Sequence, residues 1–134
     1  MTEEPIVPTV PFRSCPIQTS LGVLGRKWTM LILRDIAFLR LYRFNQILRA
    51  TPGLTPRVLS LRLRELEAGG FIRHTELRTN PRLVTWSLTE KGTDTLPLLM
   101  GFIDFGSKWY SEQVFADKAP RTAKELFPDF YASR

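Results

Sequence analysis

Thr55-Pro56-Arg57-Val58-Leu59-Ser60-Leu61-Arg62-Leu63-Arg64-Glu65-Leu66-Glu67-Ala68-Gly69-Gly70 is the stretch on which the fold turns. Thr is a good helix N-cap, and Pro fits the first helical position, where its missing N–H would have had no intrahelical partner. The two glycines stop the helix at about Ala68. At helical spacing Leu59, Leu63 and Leu66 fall within about 60° of one another and must face a core. Arg57, Ser60, Leu61 and Arg64 point the opposite way. Arg62 sits at the edge of the apolar stripe, where its stem can lie on the core while its head reaches solvent.

Beyond the double glycine the period changes to two. Phe71 to Leu77 and Leu83 to Leu88 read as strands, with Val84, Trp86 and Leu88 on one face. Between them Arg78-Thr79-Asn80-Pro81-Arg82 reads as a turn with a base at each side. Thr89 caps, or leads into, a further helical region. From Leu96 to Phe115 the chain is apolar on more than one face, through Leu96, Leu99, Phe102, Ile103, Phe105, Trp109, Tyr110 and Val114. A helix of that kind in a small domain needs a cover, and a second copy of the chain is the simplest one. A short helix is expected after Pro120.

Upstream of Thr55 the pattern is also helical. Ser14 is expected to cap a first helix that tolerates Pro16 in its opening turn, with Ile17, Leu21 and Leu24 as its stripe and Gly25 as its end. A second helix is predicted from about Lys27 to Phe38, with Trp28, Leu31, Ile32 and Ile36 inward. A third runs from about Phe44 to Arg49 and is broken by Thr51-Pro52-Gly53. Residues 1–13, with Pro5, Pro8 and Pro11, read as an extended, flexible N-terminal arm. The expected organisation is this arm, a winged helix core over 14–92, and a C-terminal helical dimerisation region over 93–134.

At 134 residues the chain has room for one domain. It carries no apolar run near the roughly 20 residues of a membrane span, so no membrane partner is expected. Thr2, Glu3 and Glu4 do not resemble the start of a secretory signal, so a cytoplasmic location is expected. One cysteine, Cys15, excludes an intrachain disulfide, and with one histidine, His74, it excludes an ordinary zinc or haem site. No nucleophile or acid–base constellation suggests an enzyme, and no cofactor is expected. His74, on the first strand beside Arg73, is given no catalytic role.

The charge is informative. The net charge is +6, yet residues 26–91 alone hold thirteen of the 19 bases and only five of the 13 acids. Such a basic centre suits a polyanion, most commonly nucleic acid. The last three helices before the two-stranded hairpin, the hairpin itself and further helix make the order of a winged helix-turn-helix, mainly α with a small β-hairpin wing. The outward Arg57, Ser60, Leu61 and Arg64 are side chains a major groove can receive. Thr55 is placed to donate to a phosphate at the helix N-terminus. Arg78 and Arg82 are placed to reach the backbone or the minor groove. The competing reading makes Arg57 and Arg64 solvated helix arginines paired with Glu65 or Glu67. A winged helix module for protein or RNA interaction, without sequence-specific DNA binding, also remains open.

The run Leu54 to Glu67 with Gly70-Phe71-Ile72 resembles the HxlR-type transcriptional regulators, relatives of the MarR group. Cys15-Pro16 followed by Gly25-Arg26-Lys27-Trp28-Thr29 and Leu31-Ile32-Leu33-Arg34 is similar to the start of that family. Pro81 to Gly92, with Val84, Trp86 and Ser87-Leu88-Thr89-Glu90-Lys91-Gly92, is similar to its wing and exit, and Leu96-Pro97-Leu98-Leu99 to the start of its last helix. Arg26 stands where the family usually has a second glycine, Thr85 where it commonly has Glu, and Leu61 where a polar residue is common. Leu61 suits contact with a thymine methyl group. The resemblance implies a homodimer, joined through its N- and C-terminal helices, on a pseudo-palindromic DNA operator. It also implies that Cys15 senses oxidants or electrophiles, an oxidant or another small molecule then being the effector. Preceding a helix and close to Arg13, Cys15 meets positive potential. The alternative is a small residue at the dimer interface.

Overall fold

The computed structural model describes residues 3–132. Residues 1 and 2 of the expected arm lie outside the described residues, as do the last two of the C-terminal region. Nine helices and one hairpin follow one another among the described residues: α1 (Pro16–Leu24), α2 (Thr29–Ala37), α3 (Phe44–Ala50), α4 (Pro56–Ala68), β1 (Ile72–Thr79), β2 (Arg82–Leu88), α5 (Glu90–Thr93), α6 (Leu96–Trp109), α7 (Ser111–Val114), α8 (Ala123–Leu126) and α9 (Pro128–Ala132). This is the winged helix-turn-helix order, with an antiparallel hairpin as the wing.

The helix α4 forms as its sequence dictates. Thr55 caps it, its Oγ1 accepting the Val58 N–H at 3.2 Å, and Pro56 opens it. Leu59, Leu63 and Leu66 are fully buried against Ile32, Leu33, Ile36, Ile47 and Ile72. Each such side chain contributes about 1.5–3 kcal/mol by leaving water. Gly70 turns the chain at φ +82°, a left-handed conformation that favours glycine. Thr89 does cap α5, accepting the Gly92 N–H at 3.1 Å. A Cβ on Gly92 would lie 2.0 Å from the Phe71 carbonyl oxygen, so the exit from the wing passes too close to the α4–β1 turn for any side chain.

Several expectations are corrected. Cys15, not Ser14, is the residue at the N-cap of α1, because Pro16 takes the first helical position. Ile17 and Leu21 remain exposed, and only Leu24 of that stripe is buried. The second helix starts at Thr29 rather than Lys27, since Trp28 adopts a left-handed φ of 78°. Its ring lies against Gly53 in the turn before α4. Within α2 it is Leu33 that is buried, whereas Leu31 is 39% exposed. The wing strands extend to Thr79 and Arg82, leaving Asn80-Pro81 as the turn. The helix expected over 96–115 is interrupted at Tyr110, separating α6 from α7.

The remaining elements are tied to this frame. Tyr42 accepts the Trp86 N–H at 2.8 Å, so the segment before α3 joins the edge of β2. Asp35, fully buried on α2, accepts from Arg34 Nε and Nη2 at 3.0 and 2.7 Å and from Thr51 Oγ1 at 3.3 Å. It thereby holds the end of α3 to α2. The Ala123 N–H donates to Asp104 at 2.8 Å, docking α8 on α6. No helix of the described residues is long and apolar enough to cross a membrane.

Candidate nucleic-acid interface

The outward face of α4 carries Arg57, Ser60, Leu61 and Arg64, all exposed, and Thr55 is exposed at its N-terminus. Neither Arg57 nor Arg64 meets a carboxylate among the described residues, because the two acids of α4 are engaged elsewhere. Glu65 pairs with Arg26 at 3.1 Å and with Arg62 at 2.8 Å. Glu67 accepts from the His74 backbone N–H at 2.9 Å and lies 2.7 Å from His74 Nδ1. The intrahelical pairing that would have made Arg57 and Arg64 ordinary solvated side chains is therefore absent. Thr55 uses a lone pair on Val58, which leaves its O–H free to donate outward.

Arg62 departs from expectation. Its head is held by the protein rather than left to solvent: Nε donates to the Lys27 carbonyl oxygen at 2.8 Å, and 15% of the side chain is exposed. Together with Arg26–Glu65 this fixes α4 to the segment between α1 and α2.

The register of the wing separates Arg78 from Arg82. Thr79 pairs with Arg82 and Arg78 with Leu83, after an irregularity at Leu77. Alternation along the strands therefore puts Arg82 on the face of Val84, Trp86 and His74, and Arg78 on the other face. Arg78 has no carboxylate partner among the described residues, whereas Arg82 Nε lies 3.6 Å from Glu76.

A cleft of about 610 Å³ opens between α3, the C-terminal half of α4 and the wing. Arg43, Arg49, Glu67, His74, Arg82 and Trp86 are among its lining residues. Partial burial pushes the Glu67 carboxyl up, but the hydrogen bonds from the His74 ring and backbone, with the His74 charge, bring it below its ordinary value. Sequence reading missed Arg43 and Arg49. The available signal was Arg43, Gln46 and Arg49 at intervals of three, a polar stripe on a short helix.

Cys15 is exposed at the start of α1. It adjoins an apolar groove of about 620 Å³ lined by Ile17, Leu21, Leu24, Leu31, Leu98 and Phe102. On α6 the exposed Leu98, Phe102, Phe105 and Trp109 follow at spacings of four, three and four. They form one continuous stripe.

A helix with unpaired outward arginines, set on a buried leucine face and flanked by a basic hairpin, defines the winged helix-turn-helix class of DNA-binding proteins. Residues 23–114 match the model of the HxlR-like helix-turn-helix family. The chain belongs to that family and is a helix-turn-helix transcriptional regulator. It is 34% identical over 114 residues to the HTH-type transcriptional regulator YdeP of Bacillus subtilis, covering 85% of this chain and 88% of that one. Among solved structures, a MarR-family transcriptional regulator from Porphyromonas gingivalis W83 superimposes with a TM-score of 0.66 at 30% identity, covering 74% of this chain and 96% of that one. The redox regulator HypR in its oxidized form gives 0.63 at 34% identity, covering 69% of this chain and 94% of that one.

Proposed function

We propose that the protein is a homodimeric, sequence-specific DNA-binding regulator that acts on a pseudo-palindromic operator in the cytoplasm. The observation that carries this reading is the outward face of α4, where Arg57 and Arg64 have no carboxylate partner among the described residues although two acids lie on the same helix. Arg57, Ser60, Leu61 and Arg64 enter the major groove, and Thr55 donates to a phosphate. Arg78 reaches the flanking minor groove and Arg82 the adjoining backbone. Of the described residues, those of 14–92 form the DNA-binding core, those of 1–13 a flexible arm, and those of 93–134 the dimerisation region. The exposed apolar residues of α1 and α6 support the dimer, because a second copy removes that surface from water.

The test is fluorescence anisotropy on the DNA upstream of the protein's own coding sequence against a scrambled duplex, over a salt series. Binding should favour the upstream duplex and fall steeply with salt as counterions are released. Arg57→Ala should weaken it roughly 5- to 150-fold, corresponding to about 1–3 kcal/mol for a bidentate base contact. A flat salt dependence rules out DNA as the partner. Equal affinity of Arg57→Ala and wild type for every duplex favours a protein- or RNA-interaction module.

The exposed Cys15 supports a thiol response, as does the likeness to a redox regulator. Diamide takes two electrons and two protons from two thiols. The second thiol comes from another copy of the chain or from a small thiol, since the sequence holds one cysteine. Cys15→Ser should bind DNA as tightly as the reduced wild type and lose the change on diamide treatment. If the diamide effect survives in Cys15→Ser, the signal enters elsewhere.

A further inference from the structure

The cleft beside α4 gathers positive charge from separate elements. Arg43 and Arg49 come from the N-cap and last turn of α3, and Arg82 from the start of β2. Arg43 and Arg49 are exposed, and neither meets a carboxylate among the described residues. Arg82 has only the exposed contact with Glu76 at 3.6 Å, a kind of pair that contributes little and yields readily. Glu67, the carboxylate lining the cleft, is occupied by the backbone and ring of His74. Phe44, Val84 and Trp86 supply apolar wall.

We propose that this cleft is a phosphoryl-binding site and that its occupant is a backbone phosphate of the bound duplex. The inference rests on the reading of α4 as the helix that enters the major groove. Guanidinium forks match phosphate oxygens in pairs, and the cleft offers three such forks around one cavity. The apolar wall gives the adjoining deoxyribose a surface to pack on. Position favours DNA as the source of the phosphate. Glu67 lies seven residues beyond Ser60, on the same flank of α4, about 10 Å along the helix. The cleft is thus continuous with the base-reading face, and the strand leaving the major groove passes over it. A phosphate held there neutralises Arg43 and Arg49, which meet no carboxylate among the described residues, and competes with Glu76 for Arg82.

The experiment compares wild type, Arg43→Ala/Arg49→Ala, Arg43→Lys/Arg49→Lys and Arg57→Ala on a short random-sequence duplex and on the upstream duplex, each across a salt series. Circular dichroism checks that each variant is folded. Phosphate neutralisation is read by the slope of log affinity against log salt, whose magnitude falls by about 0.9 for each phosphate that the protein no longer neutralises. The double alanine variant should flatten the slope by about 0.9, the equivalent of one phosphate, and bind more weakly than wild type. The double lysine variant should restore most of the slope, since lysine still neutralises phosphate as a point charge. An unchanged slope in the double alanine variant, with Arg57→Ala weakened on the upstream duplex, overturns the phosphate site and leaves the DNA reading intact. Absence of duplex binding by the wild type overturns both. The source of the phosphate is read by NMR at the His74 amide and the Trp86 indole, titrated with duplex or with dAMP. Shifts caused by duplex and not by millimolar dAMP support the backbone phosphate. Saturation by dAMP overturns it in favour of a free phosphorylated ligand.

Discussion

Replacing Phe102 by glutamate is expected to turn the protein into a monomer and to cost most of its affinity for an operator with two half-sites. Phe102 is 67% exposed in the single chain, midway along the stripe formed by Leu98, Phe105 and Trp109. It also lines the groove that α1 borders with Ile17 and Leu21. A carboxylate placed there must be desolvated whenever the groove is covered, and two-fold symmetry counts the penalty twice. Truncating a central aromatic alone commonly costs about 2 kcal/mol or more at an interface, so dimer dissociation should rise by at least two orders of magnitude. DNA affinity should fall with it, because two linked half-sites bind far better than one. Sedimentation velocity of Phe102→Glu checks the first effect and anisotropy the second. Helix content should persist, since Phe102 lies outside the buried cluster. A Phe102→Glu protein that remains dimeric places the interface elsewhere.

The second large effect is on stability. Leu63→Ala is expected to destabilise the fold by about 2–5 kcal/mol, the range for a leucine deleted from a packed core. Leu63 is 1% exposed and lies between Leu59 and Leu66 on the face of α4 that enters the buried cluster. The lost methyl groups leave a cavity that the flanking helices cannot fully close. Arg64→Ala, one residue away and solvent-facing, should change stability by less than about 0.5 kcal/mol while weakening DNA binding. Urea unfolding at matched protein concentration separates the two, because dimerisation makes apparent stability concentration-dependent. If Leu63→Ala unfolds at the wild-type midpoint, α4 is not held by its leucine face.

The two variants sit on opposite sides of one helix, and that division was legible in the sequence. The period of Leu59, Leu63 and Leu66, the cap at Thr55 and the proline after it all act within a few residues. So do the wing's alternation and the capping threonine at Thr89. Propensity and periodicity are local quantities, and here the tertiary structure overrode them only at the irregularity at Leu77.

Other features were not legible because their causes lie far away in sequence. The burial of Asp35 depends on Thr51, sixteen residues on, whose Oγ1 donates to it. Arg62 reads as a snorkelling side chain until the Lys27 carbonyl, thirty-five residues back, takes its guanidinium. Which leucine of α2 is buried depends on what the helix packs against: Leu33 joins the core cluster, whereas Leu31 lines the exposed groove beside α1 and α6.

The sequence by itself determined the helices of the core, the hairpin, the inward and outward faces of α4, and the concentration of positive charge between residues 26 and 91. Local spacing fixes which side chains share a face. The tertiary structure alone decided what each face meets. It left α4's outward arginines unpaired by drawing Glu65 to Arg26 and Arg62 and Glu67 to His74. It also placed Arg43, Arg49 and Arg82 around one cleft by setting α3 across from the wing. Pairing and convergence depend on the relative placement of whole elements, which packing sets and no short-range pattern encodes.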